Sequence, residues 1–200
     1  MLAAHLAVEA ERMGDSPAWL IDTDRQGTLT RWHERRKADT PQRGEVRLEK
    51  LAGGLVSLAS QGAAFCFIDT APTISNQTVA LIELADLIVI PVRPSPSDLW
   101  AVTETVQMVK DAGKLFIFVL TQVKKNATIT GQAMTTLSAQ GPVAKALIGD
   151  RVAYAAAMTG GNTAPELFPK GPVAIDIESL WIELKSCFHE KMKAIKKAGR

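Results

Sequence analysis

Apolar positions along the chain follow two rhythms. One is helical. In MLAAHLAVEAERMG, residues Leu2, Leu6, Ala10 and Met13 recur at helical spacing, which predicts an amphipathic helix stopped by Gly14. No Ser, Thr, Asp or Asn precedes this helix as a cap. The other rhythm is the short continuous run. AWLIDTD (18–24), AFCFIDT (64–70), LIVIPV (87–92) and LFIFVL (115–120) each read as a strand. Between them, LEKLAGGLVSLASQG (48–62) reads as a helix weakened by Gly53 and Gly54. SDLWAVTETVQMVKDAG (97–113) reads as a helix capped by Ser97 or Asp98 and stopped by Gly113. IDIESLWIELKSCFHEKMKAIKKAG (175–199) reads as a long helix with Ile177, Leu180, Trp181, Leu184 and Phe188 on one face. ADTPQRGE (38–45) and the Gly- and Pro-rich TGGNTAPELFPKGP (159–172) read as surface loops.

Strands that are apolar throughout and alternate with helices predict an α/β fold: a mostly parallel sheet with helices on both faces. The chain shows no repeat, no low-complexity tract and no linker, so residues 1–200 are expected to form one domain.

Composition narrows the class. Of the residues, 46% are apolar and 22% charged, a globular balance. No apolar run approaches the ~20 residues of a membrane span, and no basic flank precedes an apolar stretch as in a signal peptide. Cys66 lies inside AFCFID and reads as a buried, reduced thiol, and Cys187 is far away in sequence. A cytoplasmic location is expected. Net charge is +2 but unevenly spread: residues 31–50 hold seven Lys/Arg against four acids, and residues 185–200 six against one. Two basic segments around a neutral to acidic middle could form a polyanion patch or be ordinary solvated helix faces.

Candidate chemistry lies at the carboxyl ends of the strands, where open parallel sheets bind ligands. One strand ends in Asp22-Thr23-Asp24-Arg25-Gln26-Gly27, a second in Asp69-Thr70-Ala71-Pro72, a third in Pro91-Val92-Arg93-Pro94. Adjacent strand-terminal aspartates can hold the water shell of Mg²⁺, and a further carboxylate can orient an attacking water. Either aspartate alone reads first as a cap of the loop or helix that follows it.

The ordered set IDTDRQGTLTRWHERR, FIDTAP and ADLIVIPVRPSPSDLWA, continued by GNTAPELFPKGPVAIDIESLWIEL, resembles the ParA/MinD group of P-loop ATPases, in particular the partition proteins of the ParA branch. The resemblance implies a P-loop NTPase fold of the deviant Walker A class, with ATP and Mg²⁺ as cofactors. Family members begin with a strand and a loop of the form KGGxGKT followed by Ser or Thr, then a helix much like LAAHLAVEAERMG. Here the strand and the loop are missing, and Met1 stands near where that loop would end. The groups that cradle phosphates are therefore absent from the sequence. Neither AGGLV (52–56) nor Thr159-Gly160-Gly161-Asn162 replaces them, since neither carries the lysine. In this family the missing strand lies mid-sheet, so its neighbours are expected to expose unpaired edges. Three explanations are ranked: a misassigned start with the protein about seventeen residues longer, a decayed remnant, and a genuine non-ATPase variant. Little or no ATPase activity is expected of the 200 residues alone.

The resemblance also assigns roles. Asp24 matches the second Asp of the DxDPQ motif, which positions the water that attacks the γ-phosphate, and Asp22 is its partner near the metal. Arg25 stands where the family has Pro; Gln26 and Gly27 match. Asp69 matches the Walker B aspartate that holds Mg²⁺ through water, and Thr70-Ala71-Pro72 the nucleotide-sensing switch. Thr121 and Gln122 fall where relatives contact the adenine, but carry other residues. ATP in this family closes a homodimer that binds DNA without sequence preference, and a ParB-like centromere-binding partner stimulates release, which implies a nucleoid-associated location. Candidate phosphate contacts are Arg151, Lys170, Lys185, Lys193, Lys196 and Lys197, each also readable as a solvated charge. The alternatives are a non-catalytic ParA-like binding protein and another superfamily member of MinD or cobyrinate-synthase type. His5, His33 and His189 show no metal-ligand spacing. Trp32, Trp100 and Trp181 are read as packing residues.

Overall fold

The structure, a computed structural model, describes residues 1–71, 75–125 and 127–198, with side chains of the last helix described as far as residue 189. The chain divides into two compact units: Met1–Thr73 with Arg151–Ile177, and Ile74–Asp150 with Glu178–Arg200.

In the first unit, strands β1 (Ala18–Asp22), β2 (Gln42–Gly44) and β3 (Phe65–Asp69) form a parallel sheet in the order β2-β1-β3. The register of β1 and β3 runs from Ala18↔Phe65 to Asp22↔Asp69, so their two terminal aspartates stand side by side. Helix α1 (Leu2–Arg12) packs on β1 and β3. It buries Ala4, Ala7 and Val8 against Leu20, together with Leu29 and Trp32 of α2 (Thr28–Glu34). As its sequence predicts, α1 has no side-chain cap, and Gly14 beyond its end takes φ 78°. Helix α3 (Leu51–Ser60) follows a 3-10 turn. Helices α7 (Val152–Thr159) and α8 (Ala164–Leu167) and the start of α9 (Pro172–Ala198) join through Ala157, Ala164 and Val173.

In the second unit, helix α4 (Asn76–Leu84), strand β4 (Ile88–Val92), helix α5 (Pro96–Asp111), strand β5 (Phe116–Leu120) and helix α6 (Thr128–Ser138) follow one another. Strands β4 and β5 pair in parallel. All five residues of β5 are buried, which explains its unbroken apolar sequence. Around them cluster Val102, Val106 and Val109 of α5 and Ala133 and Leu137 of α6. The architecture is the expected α/β, mostly parallel sheet with helices. Among the described residues, strand β3 is bonded in its sheet only to β1, and β4 only to β5.

Four local expectations are corrected. Residues 38–45 are not all loop, because Gln42–Gly44 pair with Trp19–Ile21. Residues 159–172 are not all surface loop either. They contain α8, and Gly161, Thr163, Ala164 and Pro165 are buried. The signal was the capping box Thr163-x-x-Glu166, hidden among glycines and prolines. The α5 cap is Ser95, whose side chain accepts from the Asp98 amide, not Ser97 or Asp98. Trp100 is 76% exposed and not core. The buried stripe is Val102, Val106 and Val109, and a residue two positions from its start faces away. Trp32 and Trp181 do pack in the interior.

Gly161 illustrates why the 159–172 segment is rich in glycine. Its φ is 74°, and a Cβ there would meet the Arg35 carbonyl oxygen at 2.6 Å and the Arg36 amide nitrogen at 2.5 Å. Gly62 has φ 86° but open space around it. Gly62→Ala is expected to cost ~1 kcal/mol from backbone strain alone. Gly161→Ala should cost about 2 kcal/mol more, because backbone cannot rotate aside. Urea unfolding of the two variants measures the difference, and equal losses would contradict the close approach.

Candidate functional site: three aspartates at the ends of two parallel strands

The loop after β1 is tied by its own aspartates. Asp22 Oδ1 accepts the Asp24 amide at 3.1 Å. Asp22 Oδ2 accepts both the amide and the hydroxyl of Thr30, at 2.8 and 2.9 Å. Asp24 Oδ1 accepts the Gln26 amide at 2.9 Å. The bonds to the Asp24 and Gln26 amides, each two residues on, are Asx-type turns, the local chemistry short acidic side chains favour. Gly27 supplies the left-handed N-cap of α2, with φ 62° and ψ 32°. The loop is also laced to β3: the amide and hydroxyl of Thr23 donate to the Asp69 carbonyl, at 2.9 and 2.8 Å.

Asp69 differs from the other two. Among the described residues its carboxylate accepts no hydrogen bond, and it is half-buried. Burial raises its pKa; the α-amino group of Met1 pulls it down, and the charges of Asp22 and Asp24 push it further up. The like charges of Asp22 and Asp24 beside Asp69, offset by the Met1 α-amino group, make a place where a cation would relieve repulsion. The donor set, carboxylate oxygens alone, is of the kind that suits Mg²⁺. Asp22 already uses both oxygens on protein donors, so Asp69 and the second oxygen of Asp24 are the free acceptors. Among the described residues no three His, Cys, Asp or Glu side chains form a ready-made metal cage.

The other expected site residues are distributed as follows. Gln26, Gly27 and Thr70 lie with the three aspartates, and Gln26 and Thr70 are exposed. Pro72 lies outside the described residues. Thr121 and Gln122 follow β5 in the second unit. The Thr121 hydroxyl faces the Val92 carbonyl at 3.5 Å, and Gln122 takes φ 53°, unusual for a residue with a Cβ. Arg25, in place of the family's Pro, is exposed. Of the candidate DNA contacts, Lys170 is exposed. Arg151 Nε pairs with Asp176 Oδ2 at 3.2 Å, and Lys185 sits 5.8 Å from the Trp181 ring centre. Lys193, Lys196 and Lys197 are on the last turns of α9, where side chains lie outside the described residues. No helix among the described residues is long and apolar enough to cross a membrane.

Sequence reasoning missed Thr30, the hydroxyl and amide that hold Asp22. Its signal was the threonine pair flanking Leu29 just after the strand-terminal Asp motif. It also missed His5, read as unremarkable, which is 2% exposed and accepts the Ala164 amide at Nε2, 3.1 Å away. No spacing rule announces a contact between residues 159 positions apart.

No family model matches the chain. "Maintenance of carboxysome distribution protein A" of Halothiobacillus neapolitanus is 30% identical over 166 residues, 78% of this chain and 77% of that protein. Among solved structures, the MinD cell division protein of Aquifex aeolicus superposes with a TM-score of 0.75 at 15% identity, covering 92% of this chain and 90% of that one. The septum site-determining protein MinD of Pyrococcus horikoshii, solved with Mg-ADP, gives 0.70 at 15% identity over 92% and 88%.

Proposed function

From the premise that the chain belongs to the ParA/MinD family of ATPases, we propose that it is a cargo-positioning protein switched by a magnesium nucleotide. The observation that carries this reading is the side-by-side placement of Asp22 and Asp69 with Asp24 beside them. In this reading Asp69 would hold Mg²⁺, which would supply charge neutralisation for the phosphates. Asp24 orients the attacking water with its free oxygen. Asp22 positions both by anchoring the loop to Thr30. With nucleotide bound, two copies pair and hold DNA without sequence preference through Lys170, Lys185 and the basic end of α9, with Arg151 contributing once released from Asp176. A partner protein on the cargo ends the cycle. The cargo is a plasmid, as in the partition branch, or a protein compartment, as the name of the Halothiobacillus relative indicates for that protein. Such a cycle runs in the cytoplasm, on the nucleoid.

None of the 200 residues forms a lysine-bearing, glycine-rich phosphate loop. Titration of the chain with a fluorescent ATP analogue and Mg²⁺ is therefore expected to show no saturable binding. The same chain extended by a strand and phosphate loop from a family member should bind the analogue. Asp69→Ala should abolish the Mg²⁺ dependence of that binding, and Asp24→Ala should spare binding but remove hydrolysis. An extended chain indifferent to Mg²⁺ and to Asp69 would sink the proposal. A gel shift on DNA that ignores ATP in both forms would favour the second reading, a non-catalytic binding protein.

A further inference from the structure

Helix α2, whose Thr30 holds Asp22, carries a second feature on other residues. Arg31 and Arg35 lie one turn apart on it, both exposed. The Arg12, Arg36, Arg43, Arg93 and Arg151 guanidinium groups each meet a carboxylate. Arg31 and Arg35 meet none among the described residues, and Arg35 Nη1 donates only to the Arg31 carbonyl, at 2.8 Å. Both border an open cavity of about 350 Å³ that is also lined by Met1, Trp32, Ala155 and Met158 and by the hydroxyl residues Thr28 and Thr159. No acidic residue lines it. The site thus combines an apolar floor, two uncompensated cations and two hydroxyls in a volume at the lower end of ligand pockets.

The chemistry selects among anions. A nucleic-acid backbone would use the arginines and leave the apolar floor uncovered. Base stacking on Trp32 is blocked, because the ring is 3% exposed and Arg36 already sits 5.2 Å from its centre. A peptide with an aliphatic or aromatic side chain flanked by Asp or Glu satisfies every part: the apolar side chain fills the cavity while carboxylates take the two guanidinium forks. We propose that this groove is a docking site for an acidic, amphipathic peptide segment of a partner protein. Met1 lines this cavity and its α-amino group also acts on Asp69, so the peptide titration is run without nucleotide or Mg²⁺, which keeps its outcome separate from that of the nucleotide switch.

The test uses the full chain and a fluorescein-labelled peptide of sequence EDLFEDE, read by fluorescence anisotropy. Saturable binding is expected, weakened roughly tenfold or more in the double variant Arg31→Gln, Arg35→Gln, whose exposed side chains make no hydrogen bond or ion pair among the described residues beyond the Arg35–Arg31 carbonyl bond. A peptide EDGSEDE, with the charges but no apolar side chains, should bind at least about tenfold more weakly than EDLFEDE. Circular dichroism of the variant checks that the fold is kept. Three results would each overturn the proposal: no saturation by EDLFEDE, equal binding of EDGSEDE, or equal binding by the double variant. Displacement of EDLFEDE by an equimolar short DNA duplex would also overturn it, in favour of a nucleic-acid surface.

Discussion

Arg36→Met is expected to destabilise the first unit by about 3–5 kcal/mol, the usual result of removing one member of a buried ion pair. The Arg36 side chain is 4% exposed and that of Glu166 24%. Arg36 Nη2 donates to Glu166 Oε1 at 2.7 Å and Nη1 to Oε2 at 3.0 Å, a bidentate fork. The same guanidinium donates to the carbonyls of Gly161 and Thr40. Glu166 is in turn the capping-box residue of α8, accepting the Thr163 amide at 2.7 Å and hydroxyl at 2.9 Å. Burial raises the Glu166 pKa, but the Arg36 and Thr163 hydrogen bonds outweigh it, and the net shift is downward. Methionine fills the volume and covers Trp32 but leaves Glu166 charged, half-buried and short of two donors. Glu166→Gln should cost less, because the amide oxygen still accepts from Thr163. The double variant Arg36→Met, Glu166→Gln should recover part of the loss, the signature of direct coupling. Urea unfolding followed by far-ultraviolet circular dichroism measures all three. A loss below ~1 kcal/mol for Arg36→Met would mean the pair behaves as a solvated one.

This cluster also shows where sequence reading stops. Strands β1, β3, β4 and β5 were legible because fully apolar runs have few other uses in a chain of this size. The aspartates at the ends of β1 and β3 were legible as a pair because parallel strands in register bring their carboxyl ends together. Helices α2, α4, α6, α7 and α8 were not read. Several are rich in Thr, Ala and Gly, so their apolar stripes are narrow and helical periodicity fades. The Arg36–Glu166 pair spans 130 residues, and its arginine stood in a basic run that charge alone reads as surface. Trp100 failed in the opposite direction: an aromatic residue suggested burial, and only the Val102, Val106, Val109 stripe reveals which face of α5 is inside.

Stability should fall between pH 6.5 and pH 4 by an amount that one histidine explains. The Ala164 amide donates to His5 Nε2, so that nitrogen carries no proton and Nδ1 donates to the Met1 carbonyl at 3.1 Å. Burial lowers the His5 pKa to about 4. The hydrogen bond to Met1 and the Glu166 charge oppose that shift, and the α-amino charge adds to it. Tyr154 stands edge-on with its ring centre 5.3 Å away and brings no charge. In the unfolded chain His5 titrates near its ordinary 6.5. Between these values the unfolded state binds the extra proton, so stability rises with pH; the contribution is complete above 6.5 and lost as pH falls through the window. A gap of that size corresponds to ~3 kcal/mol. The lowered pKa of Glu166 also costs stability as pH falls, starting near the ordinary glutamate value of 4.5 and continuing below it, equally in both chains. The raised pKa of Asp69 acts with the opposite sign, favouring the fold as pH falls. His5→Gln preserves an acceptor for the Ala164 amide and removes the titration. The wild-type chain should therefore lose ~3 kcal/mol more than the glutamine variant between pH 7 and pH 4 in urea unfolding. Parallel pH profiles for the two chains would show that His5 is protonated in the fold, and that the Ala164 amide has found another acceptor.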